Sequence, residues 1–179
     1  LGAGKASPAM ARACAEELPQ ARGLVVAQHA APGAAEIRIL AGAHPVPDDS
    51  SVAAAQEVLD LCRSTRSDDE ILFLLSGGTS SLMAMPANGV ALAEKQALTR
   101  RLLASGAGIH EINTVRKHLS GIKGGRLSAA TRARVRTFAL SDLPGDDPAA
   151  IGSGPTVPDA STLDEAREIL ERLNIAASP

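Results

Sequence analysis

EILFLLSGGTSS, at residues 70–81, is the most informative stretch of this 179-residue chain. Residues 70–75 form an almost unbroken apolar run, which is typical of a central strand that is covered on both faces of a sheet. The run ends abruptly in the small residues 76–81. The stretch therefore predicts a buried strand that opens into a glycine turn.

Other segments on both sides of this strand alternate between strand and helix patterns. Short β-branched or aliphatic runs predict strands, and apolar residues at helical spacing predict helices, with Ser7 capping the first helix and Ser50 or Ser51 the second. The predicted strands span residues 23–29, 36–41 and 134–140, and the predicted helices span 8–18, 51–62, 91–104, 111–119 and 161–173. This alternation indicates an α/β fold, a mainly parallel, Rossmann-like sheet with helices on both faces.

The composition narrows the classes of function. A net charge of -2, two Phe and no Trp or Tyr argue against nucleic acid as a partner. Two separate cysteines suggest neither a disulfide framework nor a zinc site, and no apolar run is long enough to cross a membrane. We expect a cytoplasmic protein, and a homo-oligomer is left open.

The turn GAGKAS, residues 2–7, precedes the first predicted helix. Gly2 and Gly4 let the backbone approach an anion, helix amides would point at that anion, and Lys5 adds a mobile positive charge. A glycine turn of this kind normally follows a strand, which would lie upstream of residue 1. The alternative is a tight strand-to-helix turn with an exposed lysine.

The turn after the apolar run combines glycines with hydroxyl groups. Backbone N–H groups and hydroxyls there could bind a carboxylate or a phosphate without a competing charge. A serine-capped helix start is the alternative. The candidate ligands are Ser76, Gly77, Gly78, Thr79 and Ser80.

A cluster of carboxylates follows the predicted strand at 134–140. Because Mg²⁺ prefers oxygen ligands, usually one or two carboxylates with phosphates and waters, Asp142 with Asp146 or Asp147 could hold a nucleotide-bound metal. The alternative is an aspartate-rich turn whose side chains bind local amides.

Cationic residues cluster along the helix predicted at 111–119 and the turn after it. Asn113, Arg116 and Lys117 share one helical face, and Lys123 follows, which would suit the neutralisation of phosphates. A solvated helix surface is the alternative. His29, His44 and His110 are interpreted as structural or surface residues.

Taken together, five motifs are similar to those of one enzyme family. In chain order they are GAGKAS, AHPVPD, LLSGGTSSL, SGAGIHEINTVRKHLSGIKGGRL and LSDLPGDDPAAIGSGPTVPD. The chain resembles the class II glycerate kinases (glycerate 2-kinases), once often labelled hydroxypyruvate reductases, over essentially its whole length. Two small departures are Thr79, where the family more often has glycine or alanine, and Gly152, where alanine is usual.

This resemblance implies ATP-dependent phosphorylation of D-glycerate, typically to 2-phosphoglycerate, with Mg²⁺ in a cleft between two domains. It implies that Lys5 lies near the transferred phosphate, that residues 76–80 bind substrate or phosphate, that Asp142 is the acidic residue of the cleft, and that Arg116 and Lys123 belong to its positive lining. Residues 1–179 would then be an N-terminal-type domain that lacks an initial segment and the C-terminal domain, which contributes an arginine. We expect this fragment alone to be inactive.

Two other functions stay open at this stage. A nicotinamide-dependent hydroxypyruvate reductase would need a dinucleotide fingerprint and an acidic residue about twenty positions later, whereas Ser7 replaces the third glycine and residues 20–28 contain no Asp or Glu. A non-catalytic module that binds a phosphorylated metabolite is the other alternative.

Overall fold

Strands and helices alternate along most of the chain in the computed structural model, which describes residues 1–176. Residues 177–179 of the predicted domain lie outside the described part. The strands are β1 (Gly2–Ala3), β2 (Arg22–Ala27), β3 (Ala31–Ala34), β4 (Glu36–Ala41), β5 (Glu70–Ser76) and β6 (Arg134–Leu140). The helices are α1 (Ser7–Glu17), α2 (Asp49–Ser64), α3 (Thr79–Leu82), α4 (Leu92–Ala104), α5 (Ile109–His118), α6 (Arg126–Ala129) and α7 (Leu163–Arg172).

All six strands form one sheet in the order β3-β4-β2-β1-β5-β6. Every neighbouring pair is parallel except β3 with β4. The predicted α/β class with a mainly parallel sheet is therefore confirmed. β1 lies between β2 and β5, so the turns that follow β1 and β5 leave the sheet side by side at its carboxyl edge.

The core is divided between the two faces of this sheet. Phe73 and Leu75 of β5 pack with α2, whereas Leu74 packs on the opposite face with Ala11 of α1. This alternation follows from the two-residue period of a strand, and it explains why the run at 70–75 contains almost no polar residue. A third apolar cluster joins α4, α5 and α7 through residues such as Leu102, Val115 and Leu170.

Several predicted details were wrong. Gly2 and Ala3 are themselves a strand, so the strand before the first turn lies within the chain and not wholly upstream of it. A short antiparallel strand, β3, lies between the predicted strands at 23–29 and 36–41, where the sequence predicted no element. Ser7 does not cap α1, because its hydroxyl donates to the Leu74 carbonyl at 3.0 Å.

The cap of α2 also differs from the prediction. Its N-cap is Asp48, whose carboxylate accepts from the backbone N–H groups of Ser50 and Ser51. Ser51 completes the capping box through its hydroxyl, which accepts from the Asp48 N–H. Within residues 1–176, no helix combines the length and the apolar character needed to span a membrane.

The two phenylalanines provide a matched test of this core. Phe73 is 1% exposed in β5, whereas Phe138 in the neighbouring β6 is 54% exposed. We expect Phe73→Ala to lower the free energy of unfolding by about 3–5 kcal/mol, because it leaves a buried cavity. Phe138→Ala should cost about 0.5 kcal/mol, as is usual for a surface substitution. Urea denaturation measures both values, and equal losses would contradict the assigned faces.

Candidate active site

Two glycine turns meet at the carboxyl edge of the sheet and are hydrogen-bonded to each other. The Lys5 N–H donates to the Gly77 carbonyl at 2.9 Å, and the Ala6 N–H donates to Ser76 Oγ at 3.0 Å. The buried Thr79 hydroxyl lies 2.6 Å from the Ala3 carbonyl oxygen, to which it can donate. The turn after β1 therefore holds the turn after β5 in place.

This contact leaves no room for a side chain at Gly4. A Cβ there would lie 2.6 Å from the carbonyl oxygen of Ser76, and the φ of Gly4 is +132°, which L residues rarely adopt. Gly2 is similarly enclosed, with a Cβ position 2.5 Å from the Leu74 carbonyl oxygen. Both glycines thus serve the close approach of β1 and its turn to β5.

The turn after β1 (residues 4–7), called the first turn below, has no backbone donors left for a ligand. Besides Lys5 and Ala6, Gly4 donates its N–H to the Val26 carbonyl at 3.0 Å and Ser7 donates to the Gly4 carbonyl at 3.2 Å. The interpretation that these amides point at an anion does not agree with this geometry. Lys5, whose side chain is exposed, is the part of this turn that can reach a ligand.

The turn after β5 (residues 76–80), called the second turn below, has unused backbone donors. Within residues 1–176, none of the backbone N–H groups of residues 77–80 donates a hydrogen bond to a protein acceptor. Gly78 has a φ of +90°, and this left-handed residue opens the turn before α3 begins at Thr79. Consecutive amides in such a turn form a concave surface that favours anions.

Side chains from the loops that follow β1, β4 and β6 surround the second turn. A Cβ at Gly78 would lie 3.3 Å from His44 Cδ2 and 3.4 Å from Lys5 Cγ, so the two side chains border the same peptide. The Asp142 carboxylate lies against Gly77. Lys5, His44 and Asp142 therefore converge on the turn at 77–78 with both signs of charge.

His44, which the sequence analysis interpreted as a structural or surface residue, borders the candidate site. Burial, and then the charges of Lys5 and Arg116, lower the pKa of its imidazole, and Asp142 opposes them. The imidazole is therefore held in its neutral form near pH 7. The signal that could have found it is its place just after β4, because ligands in parallel sheets bind beyond the carboxyl ends of the strands.

A chain of buried polar groups ties the second turn to α5. Ser80 Oγ lies 2.6 Å from Ser153 Oγ, and the Ser153 hydroxyl donates to Asn113 Oδ1 at 2.8 Å. Asn113 in turn donates its amide to the Ala150 carbonyl at 2.9 Å. Asn113 and Ser80 are thus joined as structural supports of the turn, and their hydroxyl and amide groups are used within the protein.

The cationic residues predicted to line the site differ in their surroundings. Lys117 forms a buried ion pair with Asp159 at 3.2 Å, so its charge is neutralised within the chain. Arg116 lies close enough to His44 for its charge to lower the pKa of that imidazole, and it makes no hydrogen bond or ion pair among the described residues. Lys123 is 1% exposed, so it lies beneath the surface of the site.

The two predicted metal ligands occupy different positions. Asp142 is exposed beside Gly77, and Asp146 is exposed in the following loop, where its φ is +50°. In residues 1–176 no group of three or more His, Cys, Asp or Glu side chains could hold a metal ion. A carboxylate such as Asp142 fits a Mg²⁺ that takes its other ligands from phosphates and waters. The assignment of Asp142 and Asp146 to a metal stays a prediction.

The two departures from the family pattern contact each other. A Cβ at Gly152 would lie 2.9 Å from the Cβ of Thr79 and 2.9 Å from Leu75 Cδ1. The larger residue at position 79 therefore packs against the smaller one at position 152. The exchange preserves the packing beneath the second turn.

A groove of about 660 Å³ lies at the other end of the sheet. Its lining includes Leu1, Arg22 and Glu70, which begin or precede strands. Because ligands of parallel α/β sheets bind at the carboxyl ends of the strands, we do not assign this groove to the active site.

Comparison with known proteins supports the family resemblance. A family described as "Domain of unknown function (DUF4147)" matches residues 1–179. The chain is 44% identical to a D-glycerate 2-kinase of Thermotoga maritima over 183 residues, and 50% identical over 184 residues to an Agrobacterium vitis protein that carries a hydroxypyruvate reductase name. The chain covers 44% and 48% of these relatives, so it spans about half of their length.

Solved structures agree with the fold. A crystal structure of a Thermotoga maritima glycerate kinase aligns with 99% of this chain at a TM-score of 0.89 and 42% identity, over 44% of its own length. A crystal structure of a Pyrococcus horikoshii protein aligns with 97% of this chain and 40% of its own, at a TM-score of 0.87 and 39% identity. The resemblance that the motifs indicated is confirmed.

The contact between positions 79 and 152 can be tested by a double-mutant cycle. We expect Gly152→Ala to lower the free energy of unfolding by about 3 kcal/mol, because the new methyl group meets Thr79 and the backbone has a positive φ. In a Thr79→Gly background the same change should cost about 1 kcal/mol, which leaves a coupling of about 2 kcal/mol. Gly89→Ala is the control, since φ is +83° there and nothing lies within 4 Å. Purely additive effects in urea denaturation would refute the contact.

Proposed function

Since the chain belongs to the DUF4147 family, we propose that the full-length protein phosphorylates D-glycerate with ATP and that these residues form one side of its active site. Relatives named glycerate 2-kinase and glycerate kinase support the reaction class. The proposed product is 2-phosphoglycerate, and the proposed compartment is the cytoplasm.

The observation that carries this proposal is the pairing of Lys5 with the free amides of residues 77–80. Phosphoryl transfer requires positioning and the neutralisation of negative charge more than covalent chemistry by the protein. Preoriented N–H groups and a mobile ammonium supply both at one place. Gly2 and Gly4 contribute by bringing Lys5 against this turn, whereas Ser76 and Thr79 hold the turn in position.

In the proposed reaction a glycerate hydroxyl oxygen attacks the γ-phosphorus of ATP. A bond forms between that oxygen and phosphorus, the bond from phosphorus to the ADP oxygen breaks, and the hydroxyl proton is released to solvent water. Lys5 and the amides of residues 77–80 stabilise the charge on the transferred group. Asp142 orients the hydroxyl group or holds the metal.

A divalent metal such as Mg²⁺ is part of this proposal. When bound, Mg²⁺ neutralises charge on the phosphates and holds them in place. Asp142 would supply one carboxylate from beside Gly77, and Asp146 could add a second from the neighbouring loop. Arg116 extends the positive lining on the side of α5, and Lys123 adds a positive charge from beneath the surface.

The relatives are longer than this chain, and we expect the additional residues to take part in catalysis. Because the chain spans about half of those proteins, we propose that a C-terminal domain completes the cleft and that residues 1–179 alone are inactive. A homo-oligomer is compatible with this arrangement.

The geometry favours the kinase over the reductase named in some relatives. A dinucleotide site places the pyrophosphate on the amides of the first turn, yet residues 4–7 donate all of theirs within the protein. β2 ends at Ala27 and is followed by Gln28, so no carboxylate is available there for a ribose. A non-catalytic module that binds a phosphorylated metabolite would use the same amide turn, and only turnover separates it from the kinase.

Coupled ADP release with ATP, Mg²⁺ and D-glycerate tests the proposal on the full-length protein and on residues 1–179. We expect turnover only by the full-length protein, and a roughly 10²–10³-fold lower kcat for its Lys5→Ala variant, since a charge-stabilising group is lost. Arg12→Ala is the control, because Arg12 is an exposed cation on α1, the helix that follows the turn containing Lys5. No D-glycerate-dependent turnover by the full-length protein would refute the kinase. Identification of the phosphoglycerate isomer shows which hydroxyl reacts.

A further inference from the structure

Three cations, two of them buried, lie near α5 without a carboxylate partner among residues 1–176. Lys95 of α4 is 3% exposed and Lys123 is 1% exposed, whereas Arg116 of α5 is half-buried. Among residues 1–176, none of the three forms an ion pair. Lys95 was not singled out by the sequence, because a lysine in a helix normally lies on the surface.

Backbone carbonyls at the ends of two helices hold the two lysines. Lys95 Nζ donates to the Leu119 carbonyl, at the end of α5, at 2.7 Å. Lys123 Nζ donates to the Met83 carbonyl, at the end of α3, at 3.4 Å. Since α3 begins at the second turn, Lys123 lies at the far end of the helix whose first amides are free.

Lys117, also on α5, is a buried lysine whose charge is neutralised by an ion pair. Its ammonium faces Asp159, whose carboxylate also accepts hydrogen bonds from the Ser161 N–H and hydroxyl. Among residues 1–176, a counter-charge is thus provided for Lys117 but not for Lys95, Arg116 or Lys123.

The unpaired charges are unfavourable for the folded chain. Burial, and then the charge of Arg116, lower the pKa of Lys95 to about 8. Burial, followed by the charges of Lys95 and Arg116, lowers the pKa of Lys123 well below its usual value. A buried cation without a partner is costly, and a bound anion is the natural compensation.

We propose that Lys95 and Lys123 are positioning residues for an oxyanion, a carboxylate or a phosphate, that Arg116 contacts beside the amides of residues 77–80. Arg116 connects the buried lysines with the turn, because it lies three residues after Asn113 on α5, and Asn113 is joined through Ser153 to Ser80. The effect of its charge on His44, which borders Gly78, agrees with this position. The two lysines lie behind it and raise the positive potential without touching the ligand. The oxyanion belongs to the substrate or nucleotide of the proposed function, on which this inference rests.

Substitutions of Lys95 can separate the electrostatic effect of its charge from the effect of its hydrogen bond to the Leu119 carbonyl. Lys95→Gln keeps a donor for the Leu119 carbonyl but removes the charge, whereas Lys95→Arg keeps the charge. Arg100→Met is the matched control, because it removes an exposed cation from the same helix. Titration calorimetry on the full-length protein, with inorganic phosphate and D-glycerate as separate probes, measures the affinity of each variant.

We expect Lys95→Gln to weaken the binding of one probe about tenfold, the scale for a unit charge acting roughly a nanometre away through an effective dielectric constant of about 20. Lys95→Arg should bind within about threefold of the wild type, and Arg100→Met should bind like it. The probe that weakens identifies the oxyanion as a phosphate or a carboxylate. The stability of Lys95→Gln to urea should not fall, because an unfavourable buried charge is removed.

Wild-type affinity of Lys95→Gln for both probes, or no binding of either probe by the wild-type protein, would overturn the inference. A loss of stability with unchanged affinity would show that Lys95 only caps α5. Turnover of D-glycerate is measured separately. If turnover is absent while phosphate binding still depends on the charge of Lys95, the proposed function fails and the buried cations remain an anion site.

Discussion

The close contact between residues 3–6 and residues 76–79 is the constraint on which the site depends. It requires glycine at positions 2 and 4, because a side chain at either would overlap the backbone of β5. It also uses the hydroxyls of Ser76 and Thr79 to bind the backbone of the other turn. Adjacent parallel strands bring the two turns together, and these hydrogen bonds then fix their relative position.

As a consequence, the two turns use their backbone N–H donors differently. The first turn saturates its own amides by bonding to its neighbours, and the carbonyl of Gly77 is one of the acceptors. That bond helps to set the peptide at 77–78, after which Gly78 turns with a positive φ and the following amides remain unpaired. The first turn is therefore the support and the second turn is the part that can bind an anion.

Local features could be predicted from the sequence, and contacts between distant segments could not. The bounds of β4 and β6 follow from short apolar runs, and β5 was placed to within one residue. The hydroxyl of Ser7 bonds to Leu74, far away in sequence, so the local cap pattern misled. Lys95 was missed for the same reason, since only the packing of α4 against the end of α5 gives it its surroundings.

The distribution of charge explains how a slightly acidic chain can present a cationic site. The net charge is -2, yet Lys5 and Asp142 lie at the second turn with Arg116 nearby, and Lys95 and Lys123 lie behind Arg116. Residues elsewhere provide the excess negative charge, and low-dielectric walls strengthen the local field. Neutralising these cations within the fold would remove the unfavourable energy and also the attraction for an anion. In the proposed site, unpaired cations would lower the stability of the free protein and raise its affinity for an anion.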